Sequence, residues 1–219
     1  MVLKKIMNRR EDWLEERKGT IGGSDAGAAL GLNPWKDNVT LWEELTGRKE
    51  PVDISGKDIV KYGIEAEPHI RALFALDYPE YRVWYEDNNI IFNDRFPRCH
   101  YSADGLLFKD GRSGVLEIKT STVSGAAAAA KWKDNHIPPT YYAQILFGMM
   151  ITESDFAVLR ALLHFPKEGQ PDYITIRDYF VERSEVEEDI DYIAENISKF
   201  LKYLETDVRP PRILPDGFI

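Results

Sequence analysis

The 219-residue chain, 43% hydrophobic and 30% charged, has the composition of a folded protein and the length of about one domain, which excludes disordered, collagen-like and disulfide-scaffold readings. With 28 Lys plus Arg against 37 Asp plus Glu, its net charge of -9 has the wrong sign for wrapping nucleic acid with the whole surface, yet leaves room for a local basic groove or a carboxylate site facing a divalent cation. A single cysteine, Cys99, excludes an internal disulfide and a cysteine-ligated zinc or iron–sulfur site; no apolar run spans a bilayer and MVLKKIMNRREDW lacks a signal core, so a cytoplasmic protein is expected.

In chain order, RREDWLEERK (9–18) predicts a short amphipathic helix with Trp13 and Leu14 inward, followed by the turn GTIGG. Ser24 has the place of an N-cap for a helix over 25–30, with Gly31 past its end. After the loop at Asn33-Pro34, VTLWEELTG reads as a helix closed by Gly47. Helical spacing of apolar residues from 58 to about 76 predicts a helix that Pro68 must kink or restart. The period then changes to two: YRVWYE, NIIFN, HYSADGLLF and GVLEIKT predict a β-meander. The alanine run in 123–132 and the apolar stretch 140–151, entered by Pro138-Pro139, predict helices. DFAVLRALLHF and YITIRDYFV predict two strands, and the capping box Ser184-Glu185-Val186-Glu187 opens a last helix to about Leu204, before the tail PPRILPDGFI. No repeat or linker interrupts the chain. The sum is an α+β fold: helices first, a central mixed sheet, then helices packed on it.

The sharpest pattern is Asp104, then Glu117-Ile118-Lys119 in GVLEIKT. On a strand, Glu117 and Lys119 share one face while Leu116 and Ile118 take the other, so a carboxylate and an ammonium stand together. If DGRSG closes a hairpin, Asp104 lies near them, and Gly105 lets the backbone approach closely. Two carboxylates and the Ile118 carbonyl are hard oxygen donors of the kind Mg²⁺ or Mn²⁺ prefers. By spacing alone, a surface hairpin carrying an ordinary i, i+2 ion pair explains the pattern as well. His69, His100, His136 and His164 lack metal-ligand spacing and read as structural or surface residues. The tryptophans read as core, except Trp35 in NPWK, which reads as a candidate wedge against a DNA end. GTIGGSDAG lacks the Lys-Ser/Thr ending of a nucleotide-hydrolase loop.

The wider context decides between these readings. Trp13-x-x-x-Arg17, Ile21-Gly-Gly-Ser24, Tyr62-Gly63-x-x-x-Glu67, Ser102-Ala-Asp104-Gly105, Leu116-Glu-Ile-Lys119 and Tyr142-x-Gln144 occur in the order found in the YqaJ-like viral recombinase and phage lambda exonuclease family, within the PD-(D/E)xK nuclease superfamily, which the chain resembles over about residues 10 to 165. Ala103 departs from the pattern, standing where the superfamily name has proline. The resemblance implies a restriction-endonuclease-like core in one domain, with a helical part at about 9–76, a catalytic sheet and helices at about 81–182, and a last helix and tail at 184–219. It implies Mg²⁺, with Mn²⁺ as a possible substitute, on Asp104, Glu117 and the Ile118 carbonyl, with Glu67 supporting the metal or its water, Lys119 placing the attacking water and Gln144 reaching the site. Glu65 is the second choice for the helix glutamate, about 200° away round the helix. Arg17 and Ser24 match positions holding the 5′ phosphate of the digested strand. A helix N-terminus and a guanidinium suit such an anion, although Ser24 as a plain cap and Arg17 as a solvated residue remain open from the residues alone. The activity implied is 5′-to-3′ digestion of duplex DNA ends, leaving 3′ single strands for recombination. The alternatives are an endonuclease or nickase using the same residues, or a catalytically silent DNA-binding or assembly module. Implied partners are a ring-shaped homo-oligomer, a trimer by resemblance, and a single-strand annealing protein, with a phage or prophage protein acting in the host cytoplasm.

Overall fold

The computed structural model describes residues 1–214. A first strand, β1 (Val2–Ile6), precedes α1 (Arg10–Arg17), α2 (Gly23–Ala29), α3 (Asn38–Leu45) and the long α4 (Asp58–Asp77). Then come β2 (Arg82–Trp84), β3 (Asn89–Asn93), β4 (His100–Tyr101), β5 (Gly105–Lys109) and β6 (Arg112–Thr122). Helices α5 (Ala126–Ala130) and α6 (Pro139–Thr152), strands β7 (Phe156–Lys167) and β8 (Gln170–Glu182) and helix α7 (Arg183–Glu205) complete the chain.

The expected meander is instead two sheets. β1, β3 and β4 form one, in that order, and β2, β5, β6, β7 and β8 form the other. The larger sheet is mixed, because β6 pairs parallel with β7 and antiparallel with β5. Turn signals mark where strands end, and nothing in them distinguishes a strand that stays in its sheet from one that leaves it. β1 escaped notice because it is an edge strand with no fully buried residue, so it shows no apolar alternation.

The sheet's two faces carry the alternation read from β6. Leu116 and Ile118 pack with Ile70 and Phe74 of α4, while Val115 joins the larger core with Ile145, Leu146 and Met149 of α6. Helix α6 is buried from Ile145 to Ile151, which explains why it is apolar on every side. Helix α4 runs uninterrupted through Pro68, with no restart.

Three local expectations are corrected. No residue of α1 is fully buried, and Leu14 is exposed. Gly22, not Ser24, caps α2: Ser24 lies inside the first turn, and the Asp25 carboxylate three residues beyond the cap accepts the Gly22 N–H at 3.1 Å. The Ser184 box also does not form. Helix α7 starts earlier, at Arg183, and breaks regular geometry at Val186. Part of the tail docks within its own chain, where the buried Asn38 amide donates to the Pro211 carbonyl at 2.8 Å and accepts the Ile213 N–H at 3.0 Å. Residues 215–219 lie outside the described residues.

Candidate active site

The site forms where β5 and β6 part. β5 pairs with β6 as far as Gly105 opposite Leu116, and a Cβ on Gly105 would lie only 3.3 Å from the Leu116 side chain. One residue further, where Asp104 would face Glu117, the chain leaves this sheet for β4 in the other. The Asp104 carboxylate takes the place of the missing strand, accepting the Ile118 N–H on Oδ2 at 2.8 Å. The N–H and C=O of one strand residue point to the same side, so the Ile118 carbonyl also faces this gap. Asn89 secures the crossing: its amide accepts the Ala103 N–H and donates to the Ala103 carbonyl, both at 2.9 Å. That bond uses an N–H a proline would lack, which accounts for alanine at this position.

Glu117 is 1% exposed and fully engaged. Its Oε1 accepts from Lys119 Nζ at 2.6 Å and from Gln144 Nε2 of α6 at 2.5 Å, and its Oε2 from the Tyr101 hydroxyl at 2.7 Å. Tyr101 fits only because two helices present glycine to its ring. A Cβ on Gly23 would lie 2.9 Å from it, and one on Gly148 2.8 Å.

Glu67 pairs with Arg71 one turn along α4, and Arg71 also donates to the Asp104 carbonyl while its guanidinium lies 3.3 Å from the Tyr85 ring centroid. Glu65 is exposed and outside the cleft. Arg17 stacks 4.1 Å from the Trp13 ring centroid and donates through Nε to His100 Nε2 at 3.0 Å. Trp13 in turn donates to the Asn89 carbonyl at 3.0 Å and the Ser102 hydroxyl at 3.2 Å. Arg17, Ser24, Glu67, Asp104, Glu117, Lys119 and Gln144 all line one cleft of about 680 Å³, whereas Trp35 is exposed elsewhere.

The electrostatics are those of crowded carboxylates. Burial, reinforced by the Glu117 charge, pushes the Asp104 carboxyl well above its usual range. Burial also raises Glu67, against the pull of Arg71. Burial alone would lower the Lys119 ammonium, but Glu117 and Asp104 outweigh it and hold it above its ordinary value, so Lys119 is charged at neutral pH. His100 is pushed down to about 3, by burial and then by Arg17, and is neutral.

Asp104, Glu117 and the Ile118 carbonyl suit a hard divalent cation: all are oxygen donors, and a bound cation would favour the ionised form of the Asp104 carboxyl that burial and Glu117 disfavour. Among the described residues, no three acidic, histidine or cysteine side chains converge on one point, and Glu67 is paired with Arg71. The carbonyl would therefore be needed.

The fold has parallels in known proteins. The chain superposes on the crystal structure of an alkaline exonuclease, LHK-Exo, from Laribacter hongkongensis with a TM-score of 0.68, at 20% identity, covering 90% of this chain and 94% of that one. A phage-related exonuclease from Haemophilus somnus superposes with a TM-score of 0.55 at 13% identity, covering 86% and 96%. Fold and site thus define an α+β protein with the fold of alkaline exonucleases, bearing two acids and a lysine where its sheet opens. Residues 12–155 match the YqaJ-like viral recombinase domain, and the chain belongs to that family. It is 31% identical over 168 residues to the Bacillus subtilis protein YqaJ, matching 68% of this chain and 46% of that longer protein, so it spans about half of its relative.

The sequence assigns no site role to Tyr101, Arg71, Thr20 or Asn89, and none beyond a structural or surface one to His100. Arg71 had a signal, standing four residues after Glu67 on the same helix. The others enter through contacts distant in sequence.

Proposed function

We propose that the protein is a divalent-metal-dependent deoxyribonuclease that digests one strand of duplex DNA from its 5′ end, leaving 3′ overhangs for recombination. The observation that carries this is one cleft lined by both the Asp104, Glu117 and Lys119 set and the Arg17 and Ser24 pair. An exonuclease cuts at a fixed distance from an end, so it needs an end-binding group and a bond-breaking group in one cavity. The alkaline exonuclease with this fold also has a structure in complex with dAMP, a deoxynucleoside monophosphate.

In this reading, Asp104, Glu117 and the Ile118 carbonyl hold the cation, which supplies Lewis-acid polarisation of the scissile phosphate and acidifies water. Arg17 grips the terminal phosphate with its planar guanidinium and Ser24 adds a hydroxyl. Charged Lys119 donates to the attacking water or a phosphate oxygen and so orients the reaction. Gln144 and Tyr101 fix the Glu117 carboxylate, and Glu67 serves the water from the helix side. Water adds to phosphorus as the bond to the 3′ oxygen breaks, and that oxygen gains a proton. A nucleotide 5′-monophosphate departs, and the shortened strand carries a new 5′ phosphate.

The reading extends to a ring-shaped homotrimer around DNA and to a single-strand annealing protein as partner. A ring reconciles the net charge of -9 with DNA by keeping acidic groups outside a basic channel. Digestion of end-labelled linear duplex, with and without Mg²⁺, alongside a covalently closed plasmid, tests the proposal. Mg²⁺-dependent release of 5′-end label with the plasmid intact is expected. Plasmid cleavage would favour the endonuclease or nickase, and duplex bound but uncut would favour the silent module. Sedimentation of the full chain checks the trimer.

A further inference from the structure

We infer that His100 and Thr20 are positioning residues that hold the Arg17 guanidinium as the recogniser of a terminal phosphate. This deepens the proposed end recognition and rests on it.

The argument starts from hydrogen-bond directions. Arg17 Nε can only donate, so His100 Nε2, 3.0 Å away, accepts and carries no proton. A neutral imidazole then has its hydrogen on Nδ1, which lies 2.8 Å from the Thr20 hydroxyl. Thr20 in turn sends its own hydrogen to the Arg17 main-chain carbonyl at 2.7 Å. The circuit closes on itself: arginine side chain to histidine, histidine to threonine, threonine to arginine backbone. Each group has the one role left to it.

The chain geometry around the circuit explains how it forms. Ile21 N–H donates to the Arg98 carbonyl at 2.8 Å, and His100 N–H to the Ile21 carbonyl at 2.9 Å, so the segment after α1 is laced to the start of β4. That lacing brings Thr20 and His100 together although they are 80 residues apart. His100 is 2% exposed, so water does not compete for its ring nitrogens. With Nε spent on His100 and the guanidinium face on Trp13, the guanidinium keeps its Nη edge for a ligand in the cleft. Four carboxylates, of Glu67, Asp87, Asp104 and Glu117, line the same cleft, and a free arginine there would collapse onto them. The circuit prevents that by fixing where the guanidinium points.

The test is binding in EDTA, where no strand is cut, read by fluorescence anisotropy of duplexes that differ only in a 5′-phosphate or 5′-hydroxyl end. Wild-type protein should prefer the phosphate, and Arg17→Ala should lose the preference. His100→Leu and Thr20→Val should each reduce the preference by about tenfold, the worth of one charge-assisted hydrogen bond. His100→Gln, which can accept and donate, and Thr20→Ser, which keeps the hydroxyl, should recover most of it. Thr20→Val keeps the branched shape with little change in size, and keeps the test decisive should His100→Leu fold poorly. Full preference in both His100→Leu and Thr20→Val, with Arg17→Ala lacking it, would overturn the positioning role and leave the end-recognition reading standing. No phosphate preference in wild type, or none lost in Arg17→Ala, would overturn both.

Discussion

The Tyr101 hydroxyl donates to Oε2 of Glu117 at 2.7 Å, from a ring whose place depends on glycine at both Gly23 and Gly148. A side chain from the smaller sheet thereby aligns an acid of the larger one. Tyr101→Phe keeps the packing and removes the donor, leaving a charged oxygen buried without its partner. A loss of about 1.5–3 kcal/mol is expected, seen as a lower denaturant midpoint, with nuclease turnover falling at least about tenfold. Gly148→Ala attacks the same contact by volume and should cost about 1–3 kcal/mol. An unchanged Tyr101→Phe rate would mean that Glu117 needs no such alignment.

Lys119 and Asp104 should separate under mutation. Lys119→Ala is expected to lower turnover about a hundred- to a thousandfold while duplex binding persists, the loss typical of removing one preorganised donor at a reacting centre. Asp104→Ala should lose Mg²⁺ or Mn²⁺ affinity by calorimetric titration, because it removes one of only two proposed carboxylate ligands. A Lys119→Ala enzyme near the wild-type rate would remove that residue from the chemistry.

His100 predicts acid sensitivity. Its folded value of about 3 lies below the ordinary 6.5, so between these the unfolded chain binds the extra proton. Stability then rises with pH through this window, and acidification from 6.5 destabilises the protein, by about 2 kcal/mol at pH 5 for this group. His100→Gln cannot take up that proton, so its thermal midpoint should fall less between pH 7 and pH 5. Parallel midpoints for the two proteins would count against a buried neutral imidazole.

Asn38 ties the described tail to the N-terminus of α3 through two hydrogen bonds, and Arg212 adds an ion pair to Asp37 at 2.9 Å. Asn38→Ala should cost about 1–3 kcal/mol by stranding the Pro211 and Ile213 main-chain groups. The comparison is an equilibrium denaturation curve against wild type. A tail that docks on its own chain also predicts that deleting residues 207–219 lowers the denaturation midpoint.

What the sequence made legible was local. The Leu116-Glu-Ile-Lys119 alternation is readable because the period of a strand forces Glu117 and Lys119 to one face and Leu116 and Ile118 into the core, as found. The apolar length of α6 is readable because a helix buried on every side shows a continuous apolar run. What stayed hidden depends on which strands meet. Nothing in HYSADG announces that β4 and β5 belong to different sheets, and Thr20 and His100 have no local relationship at all. The α2 cap differs from expectation because Ser24 and Gly22 are both acceptable caps, and Asp25 reaching back to Gly22 selects the earlier one.

The paired amide bonds of Asn89 to Ala103 have a mechanical consequence. They rivet the smaller sheet to the segment crossing into the larger one, so the span between the Arg17 end and the Asp104 end of the single cleft is held by main-chain anchors. On the proposed exonuclease reading, stride length along the polymer would be fixed when the chain folds, independent of base sequence.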